Sequence, residues 1–582
     1  MIAECDTTRG DRLVTHLPAT SCDSCARLHW TRHASSPCGP TDRARRHAIS
    51  TPSIARSTAL MSTATTLSRV TGFVRMWATA YAIGATGLMS AYSIANNIPN
   101  MVFELVAGGI LSSLFIPTFM ELQAEKGDEG AWTFASHVFN IFVLLLGVVA
   151  VVGIFAPQPF IWTQTFRLPS TEAQAVRDSA EFFFRFFAIQ VVFYGGGMVI
   201  QGLLNAQRKY LWTALGPVFN NLVVIATMIV FAAMPLGPSS MIVLASGTTI
   251  GVVTMFAVMI PSLFKGGIRY QPGLGLGDPA VRRMLVLAVP TLIYVLTNIV
   301  AVSFRNASAL AVAENGPSIL MYAWTFYQLP YGILAVALAT AVFTELSDAA
   351  GRKDIPALKA HFSRGLRSTG VLVLPAAAML IALSEPLVSL YRVGAFRASD
   401  VPPVASALRL WGAGLIFFAC MMFVLRTFYS LKDTYTPMLA NLLLTPLQIG
   451  LYVLLSTGAL GWKGIGINGI PVADAIFYAL LFFTLAILLR RRLGGYDLRG
   501  VARTFALMAL ASAIGGAAAF GVARVLAPDV PSFGAALIQV AAAGTTGLVI
   551  SFGMGRLMRV PELSLVTDLL GRLARRRNTN AH

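Results

Sequence analysis

Apolar residues recur in stretches of about 20 positions from Thr63 to Met558, separated by short polar connections. A helix needs about that many apolar residues to cross bilayer hydrocarbon. The short alternating segments of a membrane β-barrel are not visible. The pattern predicts fourteen membrane-spanning helices, at roughly 63–84, 88–119, 136–156, 179–205, 212–235, 240–263, 284–309, 317–343, 367–391, 404–429, 435–457, 464–489, 503–526 and 535–558.

Composition agrees with that reading. Of 582 residues, 56% are hydrophobic and 12% charged, against about 25% charged in a typical soluble domain. The net charge of +18 raises the question of nucleic acid, but the placement of the basic residues answers it. They gather in alternate connections and in the tail, with runs at Arg490-Arg491-Arg492 and Arg575-Arg576-Arg577. Lys and Arg on one side outnumber those on the other about three to one, the bias that holds one side of a membrane protein in the cytoplasm. Both termini are therefore expected inside, as an even number of spans requires, and no nucleic-acid partner is expected.

An internal repeat organises the spans. Glu104 to Gly127 laid without a gap over Gln328 to Gly351 matches Leu105, Gly108, Leu114, Phe119, Glu121, Leu122 and Gly127 with identical residues 224 positions on. Pro217 and Asn221 likewise match Pro437 and Asn441 at an offset of 220. Six spans separate the copies, so the two lobes share one orientation, an arrangement transporters use with the site between the halves. The expected fold is all-α and polytopic. A first six-helix lobe covers 61–265 and a second 266–492; two extra helices cover 493–560 and a basic cytoplasmic tail 561–582.

Residues 1–60 differ from the rest. They are polar and hold Cys5, Cys22, Cys25 and Cys38 with His16, His29, His33 and His47. The order Cys22, Cys25, His29, His33, Cys38 resembles a zinc-site string, but its spacing is irregular and nothing nearby builds a finger. The head is expected to be a disordered extension, or upstream sequence ahead of a start at Met61, and no metal site is expected.

Charges at membrane depth are costly and mark function or pairing. Arg75 and Glu104 each fall near the middle of a span; they fit either a mutual ion pair or groups facing a watery cavity. Ser68, Thr71, Gly72 and Arg75 share one helical face. Arg69 and Arg305 each fit a cavity or snorkelling to the nearer surface. Asn97, Pro99 and Asn100 interrupt the second span, where proline breaks the backbone ladder and asparagines can satisfy it; a gate uses such a kink. Asp474, inside span twelve, fits a cation ligand or a hydrogen bond to Asn468 or a neighbouring helix. Arg426 and Lys432-Asp433 flank the inner end of span ten, and Asp433 fits a cation or a structural role. No catalytic constellation appears, and Gly-x4-Gly-Lys-Ser/Thr is absent. The chain is expected not to be an enzyme; its driving force is an ion gradient, a coupling cation, the membrane potential or the substrate's own gradient, without a bound cofactor.

Several separated strings resemble the MurJ/MviN family, the lipid II flippases of the multidrug/oligosaccharidyl-lipid/polysaccharide exporter superfamily. They are Ser68-Arg69-Val70-Thr71-Gly72-Phe73-Val74-Arg75, Asn97-Ile98-Pro99-Asn100, Gly109 to Pro117, Gln201-Gly202 through Asn205-Ala206-Gln207, Gln328-Leu329-Pro330-Tyr331-Gly332, and Arg426 through Tyr429-Ser430-Leu431-Lys432-Asp433 to Pro437. The resemblance covers about residues 62–490. It implies two lobes forming a V around a central cationic cavity, with helices 13 and 14 making a groove for a lipid tail. It implies a multi-pass protein of the bacterial cytoplasmic membrane, working in peptidoglycan biosynthesis, cell-wall biogenesis and cell shape. Its partners would be a lipid-linked oligosaccharide pyrophosphate, membrane lipids and the cell-wall synthesis machinery.

Arg69 and Arg75 match arginines implicated in that cavity. The chain departs from the family pattern at Met76, where an acidic residue is common, at Phe103 and Glu104, where basic residues are common, and at Trp324-Thr325, in place of an Asp-Arg pair. With the eighth-span arginine missing, Arg305 is expected to supply its charge from span seven. The rival readings are an exporter of another polyprenyl-linked glycan, a drug/cation antiporter of the same superfamily, and a membrane enzyme. The outer connections are short and offer no paired carboxylates for the last.

Overall fold

The computed structural model describes residues 54–106, 114–167, 171–207, 209–264, 267–458, 461–527 and 529–563. The Cys/His head up to residue 53 and the arginine run of the tail lie outside the described residues.

The architecture is all-α. In chain order the helices are α1 (Ile54–Ala82), α2 (Gly87–Val106), α3 (Ile116–Phe155), α4 (Gln158–Thr165), α5 (Thr171–Phe187), α6 (Gln190–Ala206), α7 (Tyr210–Ala232), α8 (Pro238–Ala257), α9 (Ile260–Phe264) and α10 (Pro279–Val312). There follow α11 (Gly316–Pro330), α12 (Val336–Gly351), α13 (Ile355–Ala382), α14 (Ser384–Ser389), α15 (Val401–Ser430), α16 (Tyr435–Thr457), α17 (Gly469–Leu493), α18 (Leu498–Leu526) and α19 (Phe533–Leu557). Among the described residues eleven helical stretches are long and apolar enough to cross a bilayer, or twelve if the α5–α6 pair, bent by 42°, counts as one. The helices α1 and α2 lie where the first two spans are expected.

Local chemistry sets the ends. Asp278, Asp354 and Asp497 cap α10, α13 and α18 by accepting from the backbone N–H of Ala280, Ala357 and Gly500, filling orphan donors of the first turn. Gly494 closes α17 in the left-handed region at φ +66°, just after Arg490, Arg491 and Arg492, cations that suit a helix C-terminus. Two details differ from the sequence pattern. The stretch between spans two and three, expected as a loop, is helical and broken only at Gly127, whose φ of +70° turns the chain. Also, α1 begins at Ile54, ahead of the expected boundary at residue 60.

In lipid, helices associate through close packing of small residues. A Cβ on Gly197 of α6 would lie 2.0 Å from the Phe256 ring of α8, and one on Gly515 of α18 would lie 2.4 Å from the Gly547 carbonyl of α19. In the first lobe α7 packs on α8, α3 on α6, and α2 on α5 and α6; in the second α16 packs on α17, α15 on α17, and α13 on α15. The pair α18–α19 docks on α13. The repeat reappears as a contact. Asn221 of α7 donates to Thr71 Oγ1 of α1 at 3.0 Å, and its counterpart Asn441 of α16 donates to Asn298 Oδ1 of α10 at 3.4 Å. The helix α10 joins the lobes. Val281, Met284 and Ala288 at its start belong to the core of the first lobe, while Ala309 and Leu310 at its end join the core that includes the second. The expected lobe boundary near 265 therefore precedes a helix shared by both.

Candidate functional site

Three hollows with shared lining residues lie along the inner faces of the lobes. The first, about 510 Å³, is walled by α1, α7 and the α11 end with its π-turn at Tyr331–Ala335, and includes Arg69, Gly72, Arg75, Asn221 and Gln328. The second, about 460 Å³, lies between α2, α10, α11 and α15 to α17, and includes Asn97, Glu104, Arg305, Trp324 and Gln448. The third, about 130 Å³, opens off Arg75 among Asn96, Asn100, Tyr194 and Thr248. Trp324 and Gln328 line both large hollows, Arg75 and Met76 line the first and third, and Tyr92 and Asn96 line the second and third.

Three of the four residues expected to share one α1 face line the first hollow, and Thr71 does not. Ser68, Gly72 and Arg75 face the first hollow, with Arg69 beside them. Thr71 instead accepts from Asn221, which also donates to the Ser68 carbonyl at 3.3 Å. A Cβ at Gly72 would meet Asn221 at 3.6 Å, an ordinary contact, so the approach does not itself require glycine. Among the described residues neither the Arg69 nor the Arg75 guanidinium makes an ion pair or a side-chain hydrogen bond. Both cations remain open to a ligand.

Arg305 faces the second hollow. Its guanidinium lies over the Trp324 ring, 5.7 Å from the centroid, a cation–π geometry. Trp324 is itself fixed edge-on against Trp411, with centroids 5.2 Å apart, and beside Tyr327. Among the described residues the buried Arg305 Nε has no hydrogen-bond partner. Thus the residue standing where the family pattern has an acid is the ring that holds this arginine, while Thr325 lines the first hollow and donates to the Met321 carbonyl.

The other expected residues sort by their partners. Glu104 lines the second hollow, and among the described residues it forms no ion pair within 4.0 Å, with Arg75 or with any other cation. Asn97 donates to Gln164 Oε1 at 3.5 Å, which also accepts from Asn306 at 2.6 Å, joining α2, α4 and α10. Pro99 lies inside α2, and next to it Asn100 folds back to donate to the Asn96 carbonyl at 2.7 Å while accepting from Tyr194. Asp474 is buried and accepts from Trp411 Nε1 at 2.9 Å, Gln448 Nε2 at 3.1 Å and the Tyr452 hydroxyl; its partners sit on α15 and α16, not at Asn468. Asp433 caps α16 through Tyr435 and Thr436 and pairs with Arg492. Partial burial there works against its charge, but the Thr436 bonds and the Arg492 cation win and hold its carboxyl below the usual range. Arg426 donates to Thr340 at 2.8 Å. Among the described residues no three His, Cys, Asp or Glu side chains gather as metal ligands.

Sequence reading missed the residues that close one end. At the end holding the C-terminus of α1, Tyr322 donates to the Gly84 carbonyl at 3.1 Å, Asn315 to the Ala85 carbonyl at 3.3 Å, and Ala395 N to the Tyr81 carbonyl at 2.9 Å. Arg167, after α4, donates to Ser308 at 2.9 Å and Thr457 at 3.0 Å. These tie first lobe to second. No periodic signal marks them, although Gln164 and Arg167 stand out as polar groups beside apolar helices.

A family model described as "Lipid II flippase MurJ" matches residues 79–536. Curated relatives include the probable lipid II flippase MurJ of Rhizobium meliloti (strain 1021), 29% identical over 395 residues, 66% of this chain and 72% of that protein. That of Thermotoga maritima is 29% identical over 442 residues, 74% of this chain and 85% of that protein. Among solved structures, "Lipid II flippase MurJ, inward closed conformation" superposes with a TM-score of 0.70 at 23% identity, covering 86% of this chain and 99% of the other. An inward-facing multidrug resistance MATE family transporter of the MOP superfamily gives 0.57 at 16% identity, covering 74% and 94%. At those identities the two structures speak to the fold alone.

Proposed function

Since the chain belongs to the lipid II flippase MurJ family, whose model spans most of its length, we propose that it carries lipid II across the membrane with the pyrophosphate held by Arg69, Arg75 and Arg305. The observation that carries this reading is that three arginines, two on the first lobe and one on the shared helix α10, face hollows with common lining residues, none of them paired with a carboxylate among the described residues. A pyrophosphate linker is excluded by hydrocarbon, whereas guanidinium forks bind such oxygens in pairs. The amides of Asn96, Asn220 and Gln328, which line the hollows, offer donors and acceptors to sugar and peptide groups.

The α1 N-terminal end, where Arg490 to Arg492 also lie, faces the cytoplasm with both termini, across fourteen spans. The hollows then open inward while the Arg167 end is sealed outward, one state of an alternating-access cycle in the bacterial cytoplasmic membrane. An inside-negative potential moves an anion outward with about 2.3 kcal/mol per charge per 100 mV, so a dianionic linker needs no ATP. Released lipid II passes to the cell-wall synthesis machinery. Single cysteines at Arg397 should label from outside and at Gly277 from inside; both reacting on one side would overturn the orientation. The transport reading is tested by purified protein in proteoliposomes. Wild type should translocate lipid II and Arg75→Ala should not, and equal rates would defeat the assignment of Arg75.

A further inference from the structure

We propose that Glu104 is a cation-accepting subsite of the cavity, taking a positively charged group beside the anion-binding arginines. The proposal rests on the lipid II reading for its substrate and on geometry for its place. Asn97, Asn100 and Glu104 recur at helical spacing, so α2 turns one polar stripe into the second hollow. Along that stripe the amides are engaged, Asn97 with Gln164 and Asn100 with Asn96 and Tyr194. The Glu104 carboxylate is exposed within the hollow.

A second carboxylate, Asp474, is buried and engaged by three donors from Trp411, Gln448 and Tyr452, which themselves line the hollow. Those bonds brace α15, α16 and α17. Arg305, the cation of this hollow, is held over Trp324 and stays beyond 4.0 Å from Glu104. A carboxylate at membrane depth without a contact cation is costly, and a ligand cation relieves that cost. The hollow thus presents separated charges of both signs. A head group with a pyrophosphate and a primary ammonium fits across it, anion toward the arginines and ammonium toward Glu104. A coupling monovalent cation has the same chemistry at the carboxylate, and the test separates the two.

Full-length wild type and Glu104→Gln are compared in proteoliposomes with lipid II bearing a free stem-peptide amine and with the same lipid acetylated on that amine. Losing a charge-assisted contact should slow wild-type transport of the acetylated form about tenfold, and in Glu104→Gln the ratio of the two rates should fall to about one. Glu104→Asp should keep part of the preference. If wild type ignores acetylation but slows about tenfold when Na⁺ is replaced by N-methylglucamine, and Glu104→Gln does not, the subsite stands and its occupant is the inorganic cation. The proposal is overturned if wild type responds to neither change, or if Glu104→Gln keeps the wild-type preference. Should wild type move neither form of lipid II, the substrate reading fails by itself. Direct ²²Na⁺ binding then judges Glu104: saturable binding lost in Glu104→Gln upholds the subsite, and absence of binding refutes it.

Discussion

Removing Arg305 tests whether the second lobe supplies a cation to the substrate. In Arg305→Ala the hollow loses the guanidinium stacked on Trp324 and aimed at the space beside it. A charge-assisted contact to an anion is worth about 1.5–3 kcal/mol, so a loss of about 2 kcal/mol slows transport about thirtyfold at subsaturating lipid II. Arg305→Lys keeps the charge but loses both the planar fork and the flat face on the indole, and should fall between, at about tenfold. Moving the charge is the sharper control. Thr325 lines the first hollow beside Trp324, so Arg305→Ala combined with Thr325→Arg should recover part of the rate. The assay is lipid II translocation in proteoliposomes, paired with complementation of a flippase-depleted cell at matched membrane levels. Arg305→Ala working within twofold of wild type at equal protein would show that the residue only anchors α10.

Three further outcomes follow from the contacts. Because Arg75 and Glu104 form no ion pair, a double-mutant cycle with alanine at each should give a coupling within about 0.5 kcal/mol in transport, and one above about 1 kcal/mol would place them in contact. Arg167→Ala removes two bonds across the lobes, to Ser308 and Thr457, worth about 1.5–3 kcal/mol each; a cysteine at the buried Ser90 should then label many times faster with an impermeant thiol reagent from outside, and unchanged labelling would mean Arg167 seals nothing. Asp433 has its carboxyl held below the ordinary range, so it stabilises the fold above about pH 4 and loses that role as pH falls through its lower folded value. Asp433→Asn should therefore melt lower than wild type at pH 7, with the gap closing in acid; a gap that persists undiminished at low pH would rule out the charge as its source.

The fold was largely legible because lipid imposes length and charge rules that one sequence carries openly. Spans, helical class and the two-lobe repeat follow from apolar runs and from pairs such as Asn221 and Asn441, and the structure gives those two asparagines matching contacts. A charge standing alone in an apolar run pointed to residues that line the hollows, at Arg75 and Arg305, and to the buried Asp474. Partners were not, because they are set by tertiary approach between helices far apart in sequence. Asp474 is satisfied by Trp411, Gln448 and Tyr452 on two other helices, and no spacing rule selects those three. Trp324 stood out only as a departure from a family pattern, yet its ring is what positions Arg305. The helix on either side of Gly127 was missed because the acidic stretch looks like a loop, although its residues retain helical propensity.

The distribution of bonds between the lobes bears on how transport begins. At the α1 C-terminal end the lobes meet through neutral or singly charged hydrogen bonds, from Tyr322, Asn315, Ala395, Asn306, Arg167 and Ser318. The neutral bonds are worth about 0.5–1.5 kcal/mol each net and the two from the Arg167 cation about 1.5–3 each, so the seal is on the order of 10 kcal/mol. Moving a two-state equilibrium from one part in a hundred to its reverse takes about 5.5 kcal/mol. The two are of one order, so a seal of this kind can break within a cycle. A ligand opens it only by binding the opened state more tightly than the closed one. Arg69 and Arg75 stand on the first lobe and Arg305 on a helix shared by both, so under the proposed binding mode a pyrophosphate held by all three would link lobe position to occupancy. The helix α10, with its start in one core and its end in the other, must bend or slide when the lobes rock. It also carries Arg305 and Asn306, the first lining the second hollow and the second bonded into the seal. On the proposed reading, adjacent residues on one helix would couple the anion's place to a bond that breaks in the cycle.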